Sequence, residues 1–381
     1  MTWQLRMFLL FAALSVIAAI AVRPAASAVA PPAPHGFEKQ SADEFARQHG
    51  DELAEQGVIT AAVKTAIDSR DYAALDKMAN EFRHTRARTS SGIWKLSTFH
   101  WRMLIELGQP GGGQCDDRFS SFFKGWIAHS PDQPAAYIDH AAMLEDYAWC
   151  LRGAGYANSV DAQASANFSA KVEEAHKLLD EHRAMATADP HFYAIMERIF
   201  IDQGAEKADF MRLLDDATAR EPDYHYLYFA AYRYFQPQWH GSFAEIDDVA
   251  RYAAKRGTAD ERAGMYARYY WYVLDCKCDN LDQSIDWPTM RTSMHALMAR
   301  YPSDWNAANF ARISCVMNDA EEARGWFHRV KGDYSGAWEH LTDLKLCQDL
   351  ALASDRSRER CPYAAIEGWP REDVDRYCRG G

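Results

Sequence analysis

The stretch 301–330 (YPSDWNAANFARISCVMNDAEEARGWFHRV) decides the fold, because its apolar residues recur at helical spacing on both sides of a short polar turn. The turn falls at Asn318-Asp319, and the small residues Ala311 and Ala323 let two antiparallel helices approach closely. The apolar positions are Trp305, Ala307, Ala308, Phe310, Ala311, Ala323, Trp326, Phe327 and Val330. The stretch therefore predicts one packed helix pair.

A looser form of this pattern lies upstream. Pro190 and Pro222 are 32 residues apart, and each follows an acidic residue and precedes an aromatic-rich helix. Two helices with their turns occupy about 34 residues in one class of helical repeat. With its alternating small and aromatic residues, 301–330 resembles a tetratricopeptide repeat. The resemblance implies an all-α fold of stacked antiparallel helix pairs, an α-solenoid, which we expect to extend over residues 41–381.

A second resemblance rests on Phe235–Ser242 (FQPQWHGS), on Asp286-Trp287-Pro288 and on the region around Cys315. These segments look like ones found in bacterial helical-repeat proteins of unassigned function. The resemblance supports a helical-repeat fold and implies no activity. A β fold is disfavoured, because no stretch combines period-two alternation with hairpin turn pairs such as Asn-Gly.

The N-terminus has the composition of an export signal. Met7–Val22 is apolar throughout and is followed by small residues up to Ala28. We therefore predict a signal peptide over residues 1–28, a flexible linker over residues 29–40, and a periplasmic or secreted protein. The apolar run is shorter than the roughly 20 residues that span a bilayer. A membrane anchor through residues 7–22, left uncleaved, is the alternative.

Eight cysteines follow the apolar segment, and an even number in an oxidising compartment predicts up to four disulfides. The pair Cys276-Lys277-Cys278 does not indicate zinc, because zinc-binding cysteines are usually spaced further apart and need a second matching pair. We therefore assign all eight to disulfides. They are Cys115, Cys150, Cys276, Cys278, Cys315, Cys347, Cys361 and Cys378.

The pairing is only partly constrained by the sequence. We expect Cys315–Cys347 to bond because both residues should lie on neighbouring helices, and Cys115–Cys150 to bond because of their proximity along the chain. Cys361–Cys378 would staple the C-terminal tail, at a gain of about 3 kcal/mol. Cys276 and Cys278 either bond to each other or exchange partners with the rest.

Charge argues against one class of partner. The chain has a net charge of −12, and cleavage after Ala28 removes Arg6 and Arg23 but no acidic residue, which gives −14. Such a charge repels phosphate backbones, and no basic stripe interrupts it, so we predict no nucleic-acid partner. We expect membrane association only through an uncleaved N-terminal signal.

The most unusual stretch is 224–242 (YHYLYFAAYRYFQPQWHGS), and a second aromatic helix follows at 265–273. Apolar residues cover almost the whole surface of the first helix, which is typical of a buried helix. The preferred interpretation places these aromatic side chains in the core. In the other interpretation they line a groove for a peptide or glycan. The groove candidates are Tyr228, Tyr232, Trp239, His240, Tyr266 and Tyr270.

Sequence motifs of several enzyme classes are absent. There is no His-Glu-x-x-His and no Gly-x-Ser-x-Gly, and Gly111-Gly112-Gly113 lacks the Lys-Ser/Thr pair of a phosphate-binding loop. Four aspartates at positions 275, 279, 282 and 286 lack the spacing of a calcium loop. We predict no cofactor and no metal, and we read the aspartates as a solvated acidic loop.

Two functional hypotheses follow. The first is an exported scaffold that binds a protein or peptide partner, with a glycan as the alternative ligand. The second is a carbohydrate-active enzyme on an (α/α) toroid, which would need two acids facing each other across roughly 5 to 10 Å. Spacing along the chain names no catalytic residue, so the sequence favours binding over catalysis.

Overall fold

The computed structural model describes residues 52–108, 115–153, 155, 159–239, 241–275, 284–331, 335–338 and 341–352. Within these ranges the regular structure comprises sixteen α-helices, two short 3₁₀ turns and no β-strand, so the predicted all-α class is confirmed. The helices are α1 (Glu52–Ser69), α2 (Tyr72–Thr85), α3 (Lys95–Leu107), α4 (Arg118–His129), α5 (Pro134–Arg152), α6 (Ala162–Glu181), α7 (Arg183–Ala186), α8 (His191–Asp202), α9 (Lys207–Arg220), α10 (Tyr226–Tyr234), α11 (Phe243–Arg256), α12 (Met265–Asp275), α13 (Trp287–Arg300), α14 (Asp304–Val316), α15 (Ala320–Phe327) and α16 (Leu341–Leu352).

Several predicted regions lie outside the described residues. These are the signal peptide over 1–28, the linker over 29–40, the glycine loop at 111–113, His240, Cys276, Cys278, Cys361 and Cys378. No helix in the described ranges is long and apolar enough to cross a bilayer.

Helix starts follow the capping residues of the sequence. The Asp71 carboxylate accepts a hydrogen bond from the backbone N–H of Ala74 at 3.0 Å and begins α2. Ser242 does the same for Glu245 at the start of α11. Each cap satisfies a backbone donor that has no partner within the first helical turn.

The chain divides into two compact units, one of which is Glu55–Asn306. The described part of the other comprises residues 52–54 and those from 307 onward. In this smaller unit the predicted polar turn is confirmed: Asn318 has a positive φ of 55°, and Asp319 caps α15 through the N–H of Glu322. Phe310 packs against Trp326 with ring centroids 5.2 Å apart.

Two of the expected disulfides are confirmed. Cys315–Cys347 joins α14 to α16 within the smaller unit, and Cys115–Cys150 ties the segment before α4 to the last turn of α5 in the larger unit. Structural disulfides persist in oxidising compartments, so both bonds are typical of an exported protein.

The larger unit contains a series of helices that contact one another in sequence order. We call α3, α5, α8, α10 and α12 the central helices, because α5 contacts α3 and α8, α8 contacts α10, and α10 contacts α12. Helices α6, α9, α11 and α13 are the flanking helices, and each packs against the central helix that precedes it in sequence. This order is compatible with stacked helix pairs; the solenoid arrangement itself stays a prediction.

One local contact recurs in two central helices. The hydroxyl of Tyr137 donates to the carbonyl of Pro131 at 2.9 Å, and that of Tyr228 donates to the carbonyl of Pro222 at 2.8 Å. In each case a tyrosine inside the helix fixes the turn that leads into it. The recurrence is a local similarity between the starts of these two helices.

A turn at residues 86–94 makes long-range contacts that a solenoid of stacked repeats lacks. Arg268 and Asn306 both donate to the carbonyl of Ser91, and the Asn306 bond joins residues 215 positions apart. In solenoids each repeat contacts only its neighbours. Gly92 has a φ of 95°, and a Cβ there would lie 2.6 Å from the Tyr301 ring, so this turn requires glycine.

Candidate functional site

Four of the groove candidates lie in the core. Tyr228, Tyr232, Tyr266 and Tyr270 are at most 2 % exposed. The hydroxyls of Tyr266 and Tyr270 both donate to Asp247 on α11, at 2.6 and 3.1 Å. Burial with a satisfied hydroxyl is the usual state of a core tyrosine. Their burial places these four in the core instead of a groove, in agreement with the preferred interpretation.

Trp239 is partly exposed and belongs to a different feature. Its ring lies 5.0 Å from the Arg233 guanidinium, and that of Trp149 lies 5.1 Å from the same group. The two indoles meet edge to face at 5.7 Å. Arg233 is therefore held between two aromatic faces, a favourable cation–π arrangement. The chain returns toward α11 at Gly241, where a Cβ would lie 2.2 Å from the Phe235 carbonyl oxygen.

A buried ionic network lies beside these indoles. We call Glu145, Asp146, Arg198, Asp202 and Arg233 the carboxylate–arginine cluster. Arg198 donates to Glu145 and, at 2.6 Å, to Asp146. Arg233 donates to Asp202 at 2.7 Å and reaches Glu145 at 3.3 Å. The cluster thus ties three successive central helices, α5, α8 and α10, together.

Electrostatics distinguish the three acids. Burial alone would raise the pKa of Glu145, but the charge of Arg198, a hydrogen bond with Asp202 and the charge of Arg233 hold it well below its usual range. Burial raises the pKa of Asp202 well above its usual range, although Arg233 opposes the shift. Burial and the neighbouring Glu145 together raise the pKa of Asp146 to about 6, despite the opposing Arg198. Asp146 is also the only one of the three whose side chain reaches solvent, at 23 % exposed.

Two tyrosines, Tyr226 and Tyr272, interact with the carboxylate–arginine cluster. Tyr226 on α10 and Tyr272 on α12 are partly exposed, and neither hydroxyl has a hydrogen-bond partner in the described part of the chain. The Tyr226 hydroxyl interacts electrostatically with Arg198 and Asp146, and the Tyr272 hydroxyl with Tyr226 and both arginines. The Tyr272 ring stacks on Phe229 with centroids 4.4 Å apart. We call Asp146, Tyr226, Tyr272 and Trp149 the open face of the cluster.

A second polar group lies toward the N-terminal ends of the same helices. The buried His100 on α3 has Nδ1 2.7 Å from Asp139 and Nε2 3.4 Å from Asp189. An ionised carboxylate only accepts hydrogen bonds, so both ring nitrogens donate and His100 is an imidazolium. Burial alone would lower the pKa of His100, but the two aspartates outweigh it and raise it to about 10.

His191 continues this polar group into α8. Its ring stacks on His100 with centroids 4.2 Å apart, and Nδ1 lies 2.8 Å from the Tyr224 hydroxyl. Burial, with the charges of His100 and Arg198, lowers the pKa of His191 well below its usual value, so the ring is neutral. The stack therefore pairs an imidazolium with a neutral imidazole.

The two polar groups set the register of α5 against α8. Asp139 on α5 is linked to His191 on α8 through His100. Glu145 on α5 accepts directly from Arg198 on α8. The two contacts follow the same order along both helices. The two helices therefore run in the same direction, and these two contacts lie about two helical turns apart. Changing the register by one residue would separate Arg198 from its acids.

The described residues contain no group of three or more His, Cys, Asp or Glu side chains arranged to hold a metal ion. No protein family, curated protein or solved structure matches this chain in the comparisons made.

Proposed function

We propose that this chain is an exported helical-repeat protein that binds a protein or peptide partner at the open face of the carboxylate–arginine cluster. The observation that carries the proposal is the convergence of charged and aromatic groups from α5, α8, α10 and α12 at one place. Clustered titratable groups with a displaced pKa, next to solvent and aromatic faces, are typical of binding sites.

The buried charges of the cluster are costly to the fold. Removing two guanidinium groups and their carboxylates from water costs several kcal/mol per ion, and apolar residues would often stabilise a core equally well. Here Arg198 holds Asp146 in a fixed position while the Asp146 side chain stays 23 % exposed. Groups fixed in this way lose little conformational entropy on binding.

Export is supported by two independent features. The two disulfides are typical of an oxidising compartment. The apolar segment at 7–22 has the composition of a cleavable signal. Both features support a secreted or periplasmic location.

The carbohydrate-active alternative receives less support from the cluster. Glycosidases place an acid and a second carboxylate on opposite sides of the bond that breaks. Glu145 and Asp146 instead accept from the same Nη2 atom of Arg198, so they lie on one side of a single guanidinium. Acids in this arrangement position an arginine and do not flank a substrate.

A selection from random displayed peptides, using the oxidised mature protein, tests the proposal. We expect enriched sequences whose binding is reduced at least tenfold by the double change Tyr226→Phe and Tyr272→Phe. Tyr193→Phe is the matched control, because it removes a hydroxyl from α8 that donates to Asp216 on α9 and lies away from the cluster. Failure to enrich any sequence, or equal binding by the double variant, would contradict the proposal.

A further inference from the structure

Access to solvent separates the two described disulfides. Cys315 and Cys347 are fully buried, whereas Cys115 and Cys150 are both partly exposed. A disulfide is broken by a thiolate that attacks one of its sulfur atoms, so the rate of exchange depends on whether the thiolate can reach that sulfur. Of these two bonds, Cys115–Cys150 is therefore the one that is open to an external thiol in the folded protein.

The two helices next to this bond also pack against each other without it. Cys115 lies in the irregular segment before α4, and Cys150 lies in the last turn of α5. Helices α4 and α5 are in contact, and the Phe123 ring on α4 stacks on His140 of α5 with centroids 5.1 Å apart. Reduction should therefore release the segment before α4 and the end of α5 while the helix pair stays packed.

The end of α5 carries one member of the open face. Trp149 directly precedes Cys150, and its indole N–H donates to Asp202 at 2.8 Å. The Trp149 ring lies 5.1 Å from the Arg233 guanidinium. The last four carbonyls of a helix have no donor within the helix, so a last turn frays unless other contacts hold it. The bond at Cys150 is such a contact, and it holds the turn that positions Trp149.

We propose that Cys115–Cys150 is a thiol-exchange site at which an external dithiol controls the position of Trp149 on the open face. One thiolate of the dithiol attacks a sulfur of the bond, which forms a mixed disulfide and releases the other cysteine as a thiolate. The second thiol of the dithiol loses its proton and attacks the mixed disulfide, which releases the second cysteine. The protein gains two electrons and two protons, and the dithiol is oxidised to a disulfide.

Timed reduction of the native protein tests the exchange site. The protein is incubated with dithiothreitol or with reduced thioredoxin, quenched in acid, alkylated and mapped by mass spectrometry. We expect Cys115 and Cys150 to be labelled roughly tenfold faster than Cys315 and Cys347, with no change in far-UV circular dichroism. Reaction with dithiothreitol alone would assign the site to small dithiols, and reaction with both reagents would extend it to protein dithiols.

Two outcomes would overturn the exchange site. The first is labelling of Cys315 and Cys347 as fast as that of Cys115 and Cys150. The second is a loss of helical signal in step with the labelling of Cys115 and Cys150, because the bond would then break only in unfolded molecules.

Hydrogen exchange tests the consequence for α5. In the double variant Cys115→Ser and Cys150→Ser, we expect the backbone amides of residues 149–152 to exchange roughly tenfold faster than in the oxidised native protein. The last turn of α9, residues 217–220, is the matched control and should not change. The native protein reduced by dithiothreitol gives the same measurement without a substitution. Unchanged exchange over 149–152 in both samples would overturn the control of Trp149.

The effect on a ligand rests on the proposed binding function, whereas the exchange itself does not. We expect a peptide selected on the oxidised protein to bind the double variant roughly fivefold more weakly, because Trp149 is no longer held in place. Equal binding by the two forms would contradict redox control and leave the binding function intact. If no displayed peptide binds the oxidised protein, the binding function is wrong, while selective labelling of Cys115 and Cys150 would still support the exchange site.

Discussion

Central and flanking helices contain the same kinds of ion pair in opposite environments. In the central helices, Arg198 and Glu145 have side chains 10 % and 0 % exposed. In the flanking helices, Arg212 and Asp209 on α9 are 73 % and 46 % exposed. An exposed pair contributes little, because water and salt screen it, whereas breaking a buried pair leaves a charge without solvent or partner. Burial, more than the identity of the residues, therefore decides what each pair does.

The largest effect we expect comes from Arg198→Met. The change keeps an apolar chain of similar length and removes the group that neutralises Glu145 and Asp146, so we expect a loss of about 3–5 kcal/mol in the free energy of unfolding. Urea unfolding followed by far-UV circular dichroism measures it.

The matched control for this comparison is Arg212→Met. Because its partner Asp209 lies on the surface, we expect no resolvable change in the urea midpoint. Equal losses in the two variants would mean that the cluster is effectively solvated, and the contrast between the two sets of helices would disappear.

The second effect is a dependence of stability on alkaline pH. The pKa of His100 is about 10 when folded and about 6.5 when unfolded, so the folded state retains a proton that the unfolded state has lost between these values. The contribution of His100 is complete below pH 6.5 and is lost as pH rises toward 10. We expect stability to fall between pH 7 and pH 9 by about 1.4 kcal/mol per pH unit.

Thermal and urea unfolding of His100→Gln over the same range isolates this contribution. Glutamine cannot take up a proton, so the variant should be less stable at pH 7 but should lose less stability as the pH rises. A slope identical to that of the native protein would show that His100 does not carry the proton inferred from its two aspartate contacts.

A third effect should stabilise the protein. Glu197 on α8 is fully buried, and neither carboxyl oxygen has a hydrogen-bond partner in the described part of the chain. Burial raises its pKa well above the usual value, so it is held neutral while the unfolded state ionises above pH 4.5. Glu197→Met removes an unsatisfied polar group at similar volume, and we expect a gain of about 1–3 kcal/mol.

The gain should increase as pH rises from 5 to 8, because the native protein loses stability as its unfolded state ionises while the variant does not. Chemical unfolding at these pH values measures the difference. If Glu197→Met is less stable at every pH, the carboxyl has a stabilising partner, such as a buried water, and the central helices tolerate fewer unpaired groups than inferred.

The sequence predicted the helices well because each buries an apolar stripe whose period is visible locally. Caps such as Asp71 were equally predictable, since the capping side chain and its donor lie three residues apart. Spacing along the chain was also sufficient for Cys315–Cys347, a pair that the predicted helix neighbours brought together.

The candidate site was not predicted, because its residues meet only through tertiary packing. Glu145 and Arg198 are 53 positions apart, and nothing local links them. The signal that could have found them is the presence of ionisable residues inside otherwise apolar helices, such as Arg198 within 195–201 (IMERIFI) and Arg233 within 229–235 (FAAYRYF). The aromatic content of 224–242 and 265–273 instead indicates tyrosines that fill the core.

The smallest effect concerns a flanking helix. Ser242 begins α11: its hydroxyl accepts from the N–H of Glu245 at 3.4 Å and donates to the Glu245 carboxylate at 2.9 Å. Ser242→Ala removes both contacts at an exposed helix start, where water can replace them in part, and we expect a loss of about 1 kcal/mol in urea unfolding. Ser242→Asp should restore most of it, because aspartate also caps helices. A loss from Ser242→Ala as large as that from Arg198→Met would mean that stability depends on the flanking helices as strongly as on the buried ions of the central ones.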